Sequence, residues 1–226
     1  MIIITGVSGG VGKKLAQELS GYDLVYGTYN NTKVEFDPGK NILTGQLDIT
    51  NEESVADYFK SIDLSKVTVI HASTVSIDGL IAGYKKEQWD QTISVNITGN
   101  YLVTKHLLPA MISDRWGRII HLSSVIGKIG EKGAVAYGMS KNAVAGLSKG
   151  LAQEYGRFNI TSNVLNLGYM ESGLIDGLDA HAKECIIKRI PLNKFGGVSN
   201  VANAIRFLIE SDYVNGSEID IDGGFR

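Results

Sequence analysis

Thr5-Gly6-Val7-Ser8-Gly9-Gly10-Val11-Gly12 is the stretch that decides the fold. It follows the apolar run Ile2–Thr5 directly and leads into a helical pattern that starts at Val11. Gly6 lets the chain turn sharply off a strand. Gly10 and Gly12 keep side chains away from the places where a pyrophosphate approaches backbone and where helix packs on strand. The helix start then offers unpaired N–H groups to an anion. A strand, a glycine-rich turn and a helix in that order predict a nucleotide-binding unit.

The rest of the chain repeats the alternation. Strand-like runs recur at Asp23–Thr28, Ile42–Leu47, Val67–His71, Arg118–Ser123, Thr161–Asn166 and Glu218–Ile221. Several are apolar throughout, as strands covered on both faces are. Helical stretches lie between them, near Val11–Ser20, Glu52–Lys60, Lys86–Ile112, Val135–Arg157 and Ser199–Glu210. Asn51 before Glu52 and Glu53 is a strong helix start, a capping side chain followed by acid at the positive end of the dipole. The pattern predicts one α/β domain over 1–226, a Rossmann-type, doubly wound parallel sheet of about seven strands with helices on both faces. Gly168 to Leu192 has no strand signal. A flap over the site is expected at about 169–192, with a short helix around Asp179–Lys188.

Composition narrows the class. The chain has 226 residues, 43% hydrophobic and 20% charged, with a net charge of −2. That balance gives no field to draw nucleic acid or a membrane surface, and neither is an expected partner. The single cysteine, Cys185, cannot pair internally, and the first apolar run, Met1–Ile4, is too short for a signal segment. A cytoplasmic location is the expectation. His71, His106, His121 and His181 lack metal-ligand spacing, so no metal is expected.

Two features bear on chemistry. The end of the second strand reads Tyr26-Gly27-Thr28-Tyr29-Asn30-Asn31, without the carboxylate that binds the ribose hydroxyl of NAD. Its absence permits NADP(H), which is favoured over NAD(H). Further on, Tyr137 and Lys141 stand four apart in a helical stretch, one turn from each other on one face. A tyrosine has a pKa of about 10, and a neighbouring ammonium would lower it towards useful acid/base chemistry. Ser124 follows the strand end Ile120-His121-Leu122-Ser123, where a hydroxyl points into the ligand crevice of such sheets and could hold a substrate oxygen.

On these residues the chain resembles the short-chain dehydrogenase/reductase superfamily over essentially its full length. The family's glycine turn corresponds to Thr5, Gly6, Gly10 and Gly12. Its Asp-hydrophobe-Thr motif corresponds to Asp48-Ile49-Thr50, its helix asparagine to Asn96, its serine to Ser124 and its Tyr-x-x-x-Lys pair to Tyr137 and Lys141. Ile190-Pro191-Leu192-Asn193-Lys194-Phe195-Gly196 and Asp222-Gly223-Gly224 are similar to the 3-oxoacyl-carrier-protein reductase branch.

The resemblance implies a catalytic set of Ser124, Tyr137, Lys141 and Asn96, with Asn96 supporting a water-linked proton relay to the lysine. It implies a cofactor set of Gly6, Ser8, Gly10, Val11, Gly12, Asp48, Ile49 and Ala72, with Tyr137, Lys141, Gly168, Met170 and Ser172 on the other side. Lys141 would also reach the nicotinamide ribose. The implied activity is hydride transfer between a nicotinamide cofactor and a carbonyl or alcohol, with a 3-oxoacyl thioester as leading substrate. Another ketone, alcohol or sugar intermediate is the alternative, and a nucleotide-sensing protein without catalysis is the third reading. A homo-oligomer, tetramer or dimer, is implied through the two long helices. The small residues Ala143, Ala145, Gly146 and Gly150 would allow close approach there.

The chain also departs from the family pattern. Ile70-His71-Ala72-Ser73 stands for the family's Asn-Asn-Ala-Gly, and Leu167-Gly168 for its Pro-Gly. Gly9 occupies a position where NADP-preferring members often carry a basic residue. None of these departures falls on the proton-transfer set.

Overall fold

Ile2, Ile3 and Ile4 are all buried, although successive strand residues point to opposite faces. Such a strand needs cover on both sides. Ile2 and Ile4 pack into one core with Ile70, Ile120, Leu165 and the helix residues Leu15, Ala202 and Ile205. Ile3 packs into a second core with Val69, Ile119 and the helix residues Val55, Leu107 and Met111. Burying each of these side chains contributes about 1.5–3 kcal/mol, so both faces hold the sheet in place.

The computed structural model describes residues 1–173 and 175–225. Leu174, inside the expected flap, and Arg226 lie outside the described residues. The strands are β1 (Ile2–Thr5), β2 (Val25–Tyr29), β3 (Ile42–Gln46), β4 (Thr68–His71), β5 (Gly117–Ser124), β6 (Ile160–Leu167) and β7 (Glu218–Ile221). They form one sheet in the order β3-β2-β1-β4-β5-β6-β7, and every pairing is parallel. The helices are α1 (Gly10–Leu19), α2 (Glu52–Lys60), α3 (Lys86–Ile93), α4 (Gly99–Asp114), α5 (Ile126–Ile129), α6 (Val135–Tyr155), α7 (Ala180–Arg189) and α8 (Val198–Glu210). Strand order reverses between β1 and β4, which opens the crevice where ligands of such sheets bind.

Local signals are realised where side chains enforce them. Asn51 caps α2, its Oδ1 accepting from the Ser54 N–H at 2.9 Å. Asp179 caps α7 in the same way through the Ala182 N–H at 2.7 Å.

One expectation is refined. The helix expected over Lys86–Ile112 forms, but it carries a wide π turn at Ser94–Thr98 that joins α3 to α4. Gly99 donates to the Ser94 carbonyl five residues back. The wide turn seats Asn96 against the loop after β4, and periodicity alone could not reveal that tertiary contact. α5 and the 3₁₀ turn Ile81–Gly83 were also outside the sequence reading, being too short to show a period.

Candidate active site

The crevice is pinned by a threonine. The Thr5 hydroxyl, at the end of β1, accepts from the N–H groups of both Ala72 and Ser73, each at 3.2 Å. Gly6 follows with φ +77°, and a Cβ there would stand 2.7 Å from the Ser73 Cα. Both the backbone angle and the contact require glycine. A Cβ on Gly12 would collide with the Gly6 carbonyl, so the α1 start and the turn lock together. No side chain caps α1, whose N-cap is Gly9. Its first N–H groups therefore face the crevice without intrahelical partners.

These residues fit a dinucleotide phosphate. Gly6, Gly10 and Gly12 leave no room for a Cβ, the helix start is uncapped, and Ser172 carries a buried hydroxyl with no hydrogen-bond partner among the described residues. The flap reaches the same place: a Cβ on Gly10 would stand 2.6 Å from the Gly173 nitrogen and 3.2 Å from Asp176 Oδ2.

The other cofactor candidates lie around this turn. Ser8 is exposed and Val11 half-buried on its rim. Asp48 Oδ1 holds the Thr50 N–H at 2.9 Å and the Thr50 hydroxyl at 2.7 Å, which shapes the loop that presents Ile49. On the far side, Met170 turns its side chain into the core, which leaves backbone to meet a ligand. Gly168 has a structural reason of its own, since a Cβ there would stand 2.7 Å from the Asp222 Cα.

Ser124, Tyr137 and Lys141 meet at the end of β5. All three are buried. Ser124 is the last residue of the strand, its hydroxyl accepts from the Ile126 N–H at 3.2 Å, and it lies close enough to the Tyr137 phenol to lower its pKa. Tyr137 and Lys141 share the inward face of α6, with Lys141 Nζ 5.7 Å from the Tyr137 ring centre. The ammonium donates to the Leu122 carbonyl at 2.7 Å, and the Ser123 hydroxyl donates to the Lys141 carbonyl at 2.7 Å. Strand and helix are therefore fastened to each other on both sides of the pair.

The electrostatics differ from the sequence expectation. Burial pushes Tyr137 up to about 12, against a lowering by the Ser124 hydroxyl, and the nearby Tyr169 adds a small rise. Burial brings Lys141 down to about 8. The ammonium is turned towards the Leu122 carbonyl, so desolvation of the phenol outweighs the lowering expected from the lysine.

Asn96 is joined to the site, though by a different use of its side chain. Its Oδ1 accepts from the Val75 N–H at 2.9 Å and the Thr74 hydroxyl at 3.2 Å. Its Nδ2 donates to the Val75 carbonyl and to Ser140 Oγ, both at 2.9 Å. Ser140 in turn donates to the Tyr137 carbonyl at 2.7 Å. The amide thus clamps the loop after β4 to the turn of α6 that carries Tyr137. Sequence reasoning missed Ser140 and Tyr169, for which no local pattern gives a signal.

Known proteins resemble this chain over nearly its whole length. The short chain dehydrogenase family model matches residues 1–183. The chain belongs to the short chain dehydrogenase family. It is therefore a nicotinamide-dependent oxidoreductase that works on the CH–OH/C=O pair. It is 33% identical over 238 residues to the 3-oxoacyl-acyl-carrier-protein reductase of Thermotoga maritima, covering 98% of this chain and 96% of that one. The reductase of the same name from Rickettsia bellii is 31% identical over 229 residues, covering 98% and 95%. Nodulation protein G of a Rhizobium species is 32% identical over 233 residues, with the same coverage. Among solved structures, ElxO with NADP bound superposes with a TM-score of 0.92 at 29% identity, covering 99% of this chain and 97% of that one. Among the described residues of this short chain dehydrogenase, no helix is long and apolar enough to cross a membrane, and no cluster of His, Cys, Asp or Glu is arranged to hold a metal.

Proposed function

We propose that this short chain dehydrogenase is an NADP(H)-dependent reductase of 3-oxoacyl thioesters, with Ser124, Tyr137 and Lys141 as its proton-transfer set. The observation that carries the reading is the burial of Ser124, Tyr137 and Lys141 together at the C-terminal end of β5, with Lys141 one helical turn from Tyr137 and its Nζ 5.7 Å from the Tyr137 ring centre. Ser124 holds the substrate oxygen. Tyr137 gives it a proton in reduction and takes one in oxidation. Lys141 supplies positive charge to the tyrosinate, and Asn96 keeps α6 and the β4 loop in register around the pair. The nicotinamide, when bound, supplies or accepts the hydride. Gly6, Ser8, Gly10, Val11, Gly12 and Ser172 would hold the pyrophosphate side, and Asp48, Ile49 and Ala72 the adenosine side. Gly168 and Met170 would offer backbone to the nicotinamide.

NADP(H) is supported by the missing carboxylate after β2 and by the NADP bound in the ElxO structure. The 3-oxoacyl thioester is supported by the names of the Thermotoga and Rickettsia relatives. A flap at about 169–192 would cover the substrate. Its acids Glu171, Asp176 and Asp179 favour a second reading, a small ketone or sugar intermediate, over an acidic carrier protein.

A dimer or tetramer would form on α4 and α6. Between them runs a groove lined by Tyr101, Leu108, Pro109, Ile112, Gly146 and Gly150. Ala143, Gly146 and Gly150 are exposed, whereas Ala145 packs inward and takes no part. The working compartment would be the cytoplasm. Turnover of acetoacetyl thioesters, simple ketones and sugars with NADPH and with NADH tests the proposal. The expected result is fastest reduction of the thioester with NADPH. Turnover of sugars alone would overturn the substrate assignment, and equal rates with NADH would overturn the cofactor preference.

A further inference from the structure

On β4 and β5, behind the site, lies a polar layer that the hydride and proton steps do not use. His71 on β4 and His121 on β5 are register partners, and both are buried, at 2% and 0% exposure. Their rings stack with centroids 4.9 Å apart and planes 10° from parallel. Each ring has one nitrogen engaged: His71 Nε2 with the Thr104 hydroxyl at 3.0 Å, His121 Nε2 with the Ser162 hydroxyl at 3.3 Å. Ser162 continues to Ser148 on α6 at 2.9 Å. Both Nδ1 atoms are buried without a partner among the described residues, and so is Asn100 Oδ1, one turn before Thr104 on α4.

Unpartnered buried polar atoms are uncommon, and polar interiors meet them with internal water. Two such imidazoles side by side in a packed core carry a cost that a pair of leucines would not. The layer also touches the site. Lys141 acts on both rings through its charge, and it donates to the carbonyl of Leu122, the residue after His121.

We propose that His71 and His121 are positioning residues: as neutral imidazoles, with internal water held by their Nδ1 atoms and by Asn100 Oδ1, they solvate the buried Lys141 ammonium and so keep it charged beside Tyr137. The inference rests on the proposed role of Tyr137 and Lys141. The titratable groups around the pair are Tyr137 on α6, His71 on β4, His121 on β5 and Tyr169 after β6; the π turn contributes the neutral Asn96, and α4 the neutral Asn100 and Thr104. Burial holds both imidazoles neutral at ordinary pH, so they act on the lysine as dipoles and water ligands.

The test is a pH titration of the lysine itself. The lysine side-chain resonances are followed by NMR in the full chain without cofactor, and Lys141 is assigned with a Lys141→Met variant. The Lys141 midpoint near 8 should fall by about one pH unit, a tenfold loss of proton affinity, in His71→Phe and in His121→Phe, which keep a stacked ring and remove its nitrogens. His71→Asn and His121→Asn should return most of the shift. Reductase turnover should fall in the Phe variants by a factor that grows with pH, with cofactor affinity kept. Thr104→Val, which removes the His71 partner, should give a smaller shift in the same direction and stands in if the Phe variants do not fold. An unchanged midpoint in whichever of these variants folds overturns the proposal. A shifted midpoint in a protein whose Tyr137→Phe variant still turns over would leave the layer intact and sink the proton-transfer assignment instead.

Discussion

The end of β5 with the first turns of α6 and the segment 169–192 both border the crevice, yet they are held by different forces. Ser124, Tyr137 and Lys141 are fixed by sheet register, by helical spacing and by buried hydrogen bonds to the Leu122 and Lys141 carbonyls. The flap is held by a small apolar cluster of Tyr169, Ile186 and Ile190 on Val125 and Phe225 and by scattered polar contacts. Among these are the Gly173–Asp176 bond at 2.8 Å, an exposed Lys14–Glu171 pair at 3.3 Å, the Arg189–Glu131 pair at 3.0 Å and one bridge between Met170 and Gly196. Exposed pairs of that kind contribute about 0–1 kcal/mol each. On the proposed reading, chemistry therefore sits on the part fastened by sheet register, and substrate choice on the part held by fewer contacts. Substitutions in the two regions should separate cleanly in kinetics.

The largest effect belongs to the rigid side. Lys141→Met should lower turnover by about 10²–10³, the scale of a lost acid/base partner, as read by steady-state kinetics at saturating cofactor. A loss under tenfold would break the contrast. Gly12→Ala comes next. Its Cβ would press on the backbone of Gly6 and Val7, so a loss of about 1–3 kcal/mol is expected in denaturant unfolding, together with weaker cofactor binding. Wild-type stability here would show that the turn can relax.

A third prediction concerns acid. Burial holds His71 well below its usual 6.5 and His121 down to about 3. Between pH 6.5 and 3 the unfolded chain binds protons that the fold refuses. Stability from this pair is therefore whole above pH 6.5 and lost as pH falls towards 3. Thermal melts across that range should show the midpoint dropping, and His121→Asn should flatten the slope. The smallest effect falls on the flap. Arg189→Ala removes a guanidinium 4.9 Å from the Phe225 ring centre and the pair with Glu131. The expected result is a severalfold rise in substrate KM with kcat within about twofold, since the interaction serves binding more than chemistry.

What the sequence made legible follows the same division. Period-2 and period-3.6 patterns are local, so the seven strands, the glycine turn at Gly6–Gly12 and the Tyr137–Lys141 pair could be read from spacing. The π turn at Ser94–Thr98 could not, because it exists to seat Asn96 against Val75, a contact across 21 residues. The stacking of His71 on His121 depends on which strands are neighbours, and two scattered histidines carry no hint of it. The sign of the Tyr137 shift was hidden for a related reason. Spacing puts the lysine nearby, but only the packed fold turns its ammonium towards the Leu122 carbonyl and lets burial dominate.

The account turns on Tyr137 as the group that exchanges a proton with substrate. Tyr137→Phe removes one hydroxyl from a buried site and leaves the glycine turn untouched. Calorimetry and single-turnover kinetics on that variant, side by side with wild type, test the claim most directly. The account predicts NADPH affinity within a few fold of wild type and turnover reduced by about 10² or more. Turnover near the wild-type rate with the same substrate would contradict it.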